Sequence, residues 1–115
     1  MRFAVSIFAL LTTGSAMASD FNGTYALNDD WDCVNIGSDG GAIQIVGNDL
    51  HGIESVCQLS NPVSVRGMSA TLYDESCEAE GTQVSQRVML MRSQNTVGSI
   101  FIVRDGIATE WHACR

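Results

Sequence analysis

Apolar and polar residues alternate along most of this chain with a period of two, and turn residues interrupt the alternation every few positions. Ile43 and Ile45 flank Gln44. Val84, Val88 and Leu90 share one parity, and Met89 and Met91 the other. Such alternation marks strands buried on one face, whereas an amphipathic helix repeats every three to four residues. The pattern predicts strands over 21–27, 42–46, 50–59, 69–77, 83–92, 97–104 and 107–114. Val63 and Val65 prolong the third beyond Asn61-Pro62, where the proline signals a bulge or a kink. Gly47-Asn48-Asp49, Arg66-Gly67-Met68, Glu78 to Gly81, Ser93 to Asn95 and Asp105-Gly106 read as turns, and Asn28 to Gly41 as a long polar loop. Successive short hairpins predict an all-β antiparallel meander, closed as a small barrel or stacked as a sandwich.

The start of the chain breaks this pattern. Met1-Arg2 is a positive tip, Phe3 to Leu11 is an apolar run, and a small, polar stretch ends in Ala16-Met17-Ala18. That order is a secretory signal peptide with its cut before Ser19. The expected organisation is a leader over 1–18 and a single β domain over 19–115. No apolar stretch reaches the roughly 20 residues of a membrane span, so the product is expected in the periplasm or outside the cell.

Export gives the four cysteines a meaning. Cys33, Cys57, Cys77 and Cys114 all follow the cut, and an even set in a small exported chain reads as two disulfides. Cys57 and Cys77 are equidistant from Gly67, so a hairpin turning there sets them opposite each other at bridging distance. Cys33 is then left for Cys114. Four cysteines allow three connectivities, and the spacing favours this one.

Charge narrows the partners. Thirteen acidic residues face six basic ones, all arginine, for a net charge of −7, or −8 once Arg2 leaves with the leader. Such a surface repels phosphate backbones and anionic membranes, which argues against a nucleic-acid partner.

Signatures of catalysis or metal binding are sparse. His51 and His112 stand far apart without a local partner motif, and a zinc site needs three or four convergent ligands. Asp29, Asp30, Asp32 and Asp39 offer carboxylates to a hard cation, but Val34 and Ile36 break the alternating-acid calcium loop. No serine sits in a G-x-S-x-G elbow and no C-x-x-C pair exists. Glu75, Glu78 and Glu80 near Cys77 read as solvent-facing. The expectation is therefore no cofactor, no metal and no catalytic residue. Binding is expected in the polar loop, at Asp29, Asp30, Trp31 and Asp32, pinned by Cys33, because loops on rigid scaffolds carry binding residues and tryptophan anchors interfaces. The competing role for Trp31 is a lid packed on one end of the core.

Phe21-Asn22-Gly23-Thr24-Tyr25 resembles the opening strand of lipocalin-like barrels, and the small periplasmic inhibitors of secreted metalloproteases open similarly. Those inhibitors use an extended N-terminal trunk, where here only Ser19-Asp20 would precede the strand. Lysozyme-inhibitor barrels share the size and the export signal, but their Ser-Gly-x-x-Tyr loop is replaced by Ser69-Ala70-Thr71-Leu72-Tyr73. The set Trp31…Cys33, Glu54 to Cys57, Cys77 to Gly81 and Trp111 to Cys114 is similar to small exported proteobacterial β-barrel proteins of unassigned function. The resemblance implies a fold and a compartment. The function expected from the whole is a non-enzymatic binding module that inhibits a secreted or host hydrolase. The alternatives are a carrier of a small apolar ligand, of lipocalin type, and a purely structural role.

Overall fold

Turn residues divide the chain into eight strands, each hydrogen-bonded to the next. The computed structural model describes residues 21–114, and the expected leader with its cut before Ser19 lies outside the described residues. The strands are β1 (Gly23–Ala26), β2 (Ile43–Val46), β3 (Asp49–Gly52), β4 (Ser55–Val65), β5 (Ala70–Ala79), β6 (Thr82–Arg92), β7 (Ile100–Arg104) and β8 (Ile107–Ala113). All neighbours are antiparallel, and β8 returns to β1 to close a barrel, so the sandwich alternative falls away. Closure leaves a first-to-last seam in place of two open sheet edges. No helix among the described residues is long and apolar enough to cross a membrane.

One predicted strand is two. The run 50–59 breaks at Ile53-Glu54, where Glu54 takes φ 52° and turns β3 into β4. A non-glycine residue in the left-handed region carries no composition signal as plain as Asn-Gly, so the turn was hidden inside an apolar pattern. The expected strand over 97–104 begins later, at Ile100. The Ser93 hydroxyl accepts the N–H of Asn95 at 3.0 Å and thereby extends the turn, which leaves Val97 in a loop at 87% exposure.

Inward-facing residues follow the predicted parity. Ile43, Ile45, Leu50, Cys57, Leu59, Tyr73, Val88, Leu90, Ile100 and Ile102 form the core with Phe21 and Tyr25. Val84 shares the inward parity of Val88 yet stays exposed. β6 pairs with β7 only from Met89 to Arg92, so its first half runs on beyond the barrel wall. The expected bulge is present as a register shift between Ser60 and Val63, with Asn61 at φ 50°.

Both disulfides form as expected: Cys57 with Cys77, directly opposed in the β4–β5 hairpin, and Cys33 with Cys114. With all four cysteines bridged, an oxidising compartment suits the protein.

The end of the barrel near Phe21 and Arg92 holds a titratable group. Tyr25 is buried, and its hydroxyl donates to the Phe21 carbonyl at 2.7 Å. Burial pushes its phenol above the ordinary 10.0, and the Arg92 guanidinium pulls it partly back. The folded chain therefore holds this proton more tightly than the unfolded one. The resulting stability is complete below the unfolded value and is lost as pH rises through the folded value. Urea midpoints are expected to fall as pH is raised above 10.0, and Tyr25→Phe is expected to flatten that fall. A variant with an unchanged alkaline decline would place its cause elsewhere.

Candidate functional site

At the other end, the barrel is not filled. β1 is so short that only Tyr25 and Ala26 pair with β8, opposite Ala113 and His112. The stretch of β8 from Ile107 to Trp111 thus has β7 on one side and no strand on the other. The interior opens there as a cup of about 310 Å³. Ile43, Leu50 and Ile102 form its floor, each less than 5% exposed. Trp111, Thr109 and Ile107 form one wall, and Ile53, Ser55, Arg104 and Asp105 complete the rim. Direct cross-strand pairs share a face. The pairs Ile100–Trp111, Ile102–Thr109 and Arg104–Ile107 therefore carry the inward side of the β7–β8 hairpin from core to mouth. Across the cup, Gly52 on β3 is packed against Ser55: a Cβ there would lie 2.6 Å from the Ser55 hydroxyl oxygen.

The long polar loop is tied to the barrel beside the cup, although none of its residues lines it. Within it, Asp32 N–H donates to the Gly40 carbonyl and Ala42 N–H to that of Asn35, while Glu54 N–H reaches the Gly37 carbonyl at 2.7 Å and ties the loop to the β3–β4 turn. Gly41 is required by a close approach: a Cβ would sit 2.0 Å from the Asn35 carbonyl oxygen, which is backbone and cannot yield. Cys33 staples the loop to the end of β8.

The structure separates the four predicted binding residues. Asp29 and Asp30 are exposed. Asp32 is exposed too, but its carboxylate accepts the Val34 N–H at 2.7 Å and the Asn35 amide at 2.6 Å, so it braces the loop. Trp31 is half-buried and meets Trp111 edge to face, with ring centroids 6.4 Å apart at 85°. Such a pair contributes about 1 kcal/mol beyond area burial. Trp31 thus braces the outer side of the residue that lines the cup, close to the role of a lid. A smaller cleft of about 200 Å³ runs beneath the loop, between Asp29, Trp31 and His112.

One buried charge escaped the sequence reading. Glu78 and Glu80 are exposed as expected, but Glu75 is only 1% exposed. Its Oε1 accepts the Gln86 side-chain N–H at 3.1 Å and pairs with Arg104 Nε at 3.4 Å, and its Oε2 has no hydrogen-bond partner among the described residues. The available signal was parity: Glu75 stands two residues from Tyr73 and from Cys77, both inward. Glu75, Cys57 and Cys77 place ligand-type atoms within 4.8 Å of one another, but both sulfurs are spent in a disulfide. Neither His51 nor His112 joins a group of three such residues among the described ones.

Comparison with protein-family models, with curated proteins and with solved structures finds no match for this chain.

Proposed function

We propose that this chain is an exported, non-enzymatic binding protein that holds a small, largely apolar ligand in the mouth of its barrel, in the periplasm or outside the cell. The cup carries this reading. Its volume of about 310 Å³ reaches the lower end of the roughly 300–1,000 Å³ typical of ligand sites. An apolar floor with a few convergent polar groups at the rim is the usual composition of such sites. Neither histidine lines it, so Ser55 and Thr109 have no imidazole base beside them there. The leader read from the sequence and the two disulfides support the compartment. The inhibitor reading retains Asp29 and Asp30 as exposed groups but loses Trp31 as a free anchor, because that ring packs on Trp111.

Trp31 and Trp111 are the only two tryptophans of the chain; Trp111 lines the cup and Trp31 packs on it, so intrinsic fluorescence reports on the site. Titration of the oxidised protein with N-phenyl-1-naphthylamine, a neutral apolar fluorophore, is expected to give saturable one-to-one binding with energy transfer from tryptophan. Ile107 lies on the rim at 63% exposure, so Ile107→Asp is expected to keep the fold and weaken binding at least tenfold. Absence of saturable binding, or an unchanged affinity in that variant, would overturn the carrier reading.

A further inference from the structure

Arg104 is the cup's only basic lining residue. Arg87 pairs with Asp74 on the surface, Arg92 lies over the Phe21 ring at 5.3 Å, and Arg66 stands in an exposed turn. Arg104 is different because its strand carries it inward: it follows Ile100 and Ile102 on the same face of β7 and ends that row at the mouth. Its side chain is 27% exposed, while the carboxylate it meets is fully buried.

A guanidinium carries five N–H donors in a planar fork. Nε goes to Glu75 Oε1. One carboxylate oxygen cannot take all five, so Arg104 keeps donor capacity at the wall of the cup. Charge is a separate matter. Glu75 already neutralises the guanidinium, and Asp105 adds a second carboxylate at the rim. The site therefore offers strong donors without net positive charge, inside a chain whose overall charge is −7. In an apolar cleft an extra anion would meet the unpaired Asp105 carboxylate, with the Arg104 charge already taken by Glu75, at low effective dielectric. A neutral acceptor meets the donors without that cost.

Building on the carrier reading, we propose that the cup selects a neutral, predominantly apolar molecule bearing one carbonyl acceptor, such as a ketone or an ester, and rejects the corresponding carboxylate. The hydrocarbon part lies against Ile43, Leu50 and Ile102, and the carbonyl oxygen accepts from Arg104. Hydrogen bonds to charged groups exceed neutral ones in strength, which makes this one contact the source of selectivity among apolar compounds.

The test is competition against bound N-phenyl-1-naphthylamine at neutral pH with a matched pair, methyl octanoate and sodium octanoate. The wild-type protein is expected to take the ester at least tenfold more tightly than the carboxylate. Glu75→Gln keeps shape and an acceptor for Gln86 but removes the buried counter-ion of Arg104, leaving Asp105 as the nearest lining carboxylate, and the preference is expected to shift at least tenfold toward octanoate. The double variant Glu75→Gln/Arg104→Met removes both charges together, a change cores tolerate better than loss of one partner. It is expected to lower the affinity for the ester about tenfold relative to the affinity of the same variant for the fluorophore. If the wild type takes octanoate as well as the ester, or the ester fails to compete, the inference is overturned while the carrier reading stands. If the fluorophore itself does not bind, the carrier reading fails and the inference goes with it. If Glu75→Gln does not fold, the double variant decides, and an unchanged ester affinity there overturns the inference.

Discussion

Replacing Cys33 and Cys114 together by alanine is expected to lower the unfolding free energy by about 4–5 kcal/mol, which for a domain of this size is about 20 °C in Tm. The two cysteines are 81 residues apart, and in the chain-entropy model closing so long a loop restrains the unfolded chain strongly. Local structure points the same way. The barrel closes through only two register pairs between β1 and β8, together with the Cys114 N–H donating to the Thr24 carbonyl at 2.9 Å. The disulfide fixes that seam and the loop that carries Trp31. The variant is thus expected to show faster amide exchange at Tyr25 and Ala26, and a changed tryptophan emission as Trp31 leaves Trp111. Urea melts and hydrogen exchange check both. A variant melting within 1 kcal/mol of the parent would mean that the strands alone close the barrel.

The meander was legible because its signals are local. Period-two alternation gave the inward residues Ile43 and Ile45 of β2, Cys57 and Leu59 of β4, and Val88 and Leu90 of β6, and Asp105-Gly106 and Gly47-Asn48 announced their hairpins. The Cys57–Cys77 pairing was legible too, though two local features lie behind it. The loop after Val65 places Val65 opposite Ala70, one step off symmetry about Gly67, and the bulge at Asn61-Pro62 inserts one residue into β4 and restores it. The β3–β4 turn was not legible, because Glu54 occupies a backbone region where glycine or asparagine is the usual signal.

The cup was hidden for a different reason. It depends on how far each strand extends past its neighbour, a consequence of register around a closed sheet and not of any single segment. Asp29 to Asp32 drew attention as a compact cluster of charge. The residues that line the cup are scattered over β2, β3, β4, β7 and β8 and the turns between them, and carry no motif. Arg104 and Glu75 are 29 positions apart in sequence order and meet only once β6 lies between their strands.

Glu75→Leu is expected to cost about 3 kcal/mol, and adding Arg104→Met to it is expected to restore part of the loss. The single change leaves a partly buried guanidinium without its carboxylate and the Gln86 amide without its acceptor. Full burial of the stranded charge would place the loss at 3–5 kcal/mol, but Arg104 keeps 27% exposure at the mouth and can turn toward water, which holds it to the lower end. The native arrangement is itself imperfect, since Glu75 Oε2 is buried with no partner among the described residues, and an unsatisfied buried acceptor costs about 1–3 kcal/mol. An apolar pair of similar volume removes that cost along with the ion pair. Unfolding midpoints of the two single variants and the double give the coupling between the sites directly. A strongly favourable coupling, with the double variant more stable than Glu75→Leu alone, identifies Glu75 as the group that makes a guanidinium tolerable inside the barrel. Strict additivity would show that the two residues act apart, and would remove the reason to treat Arg104 as a neutralised donor in the cup.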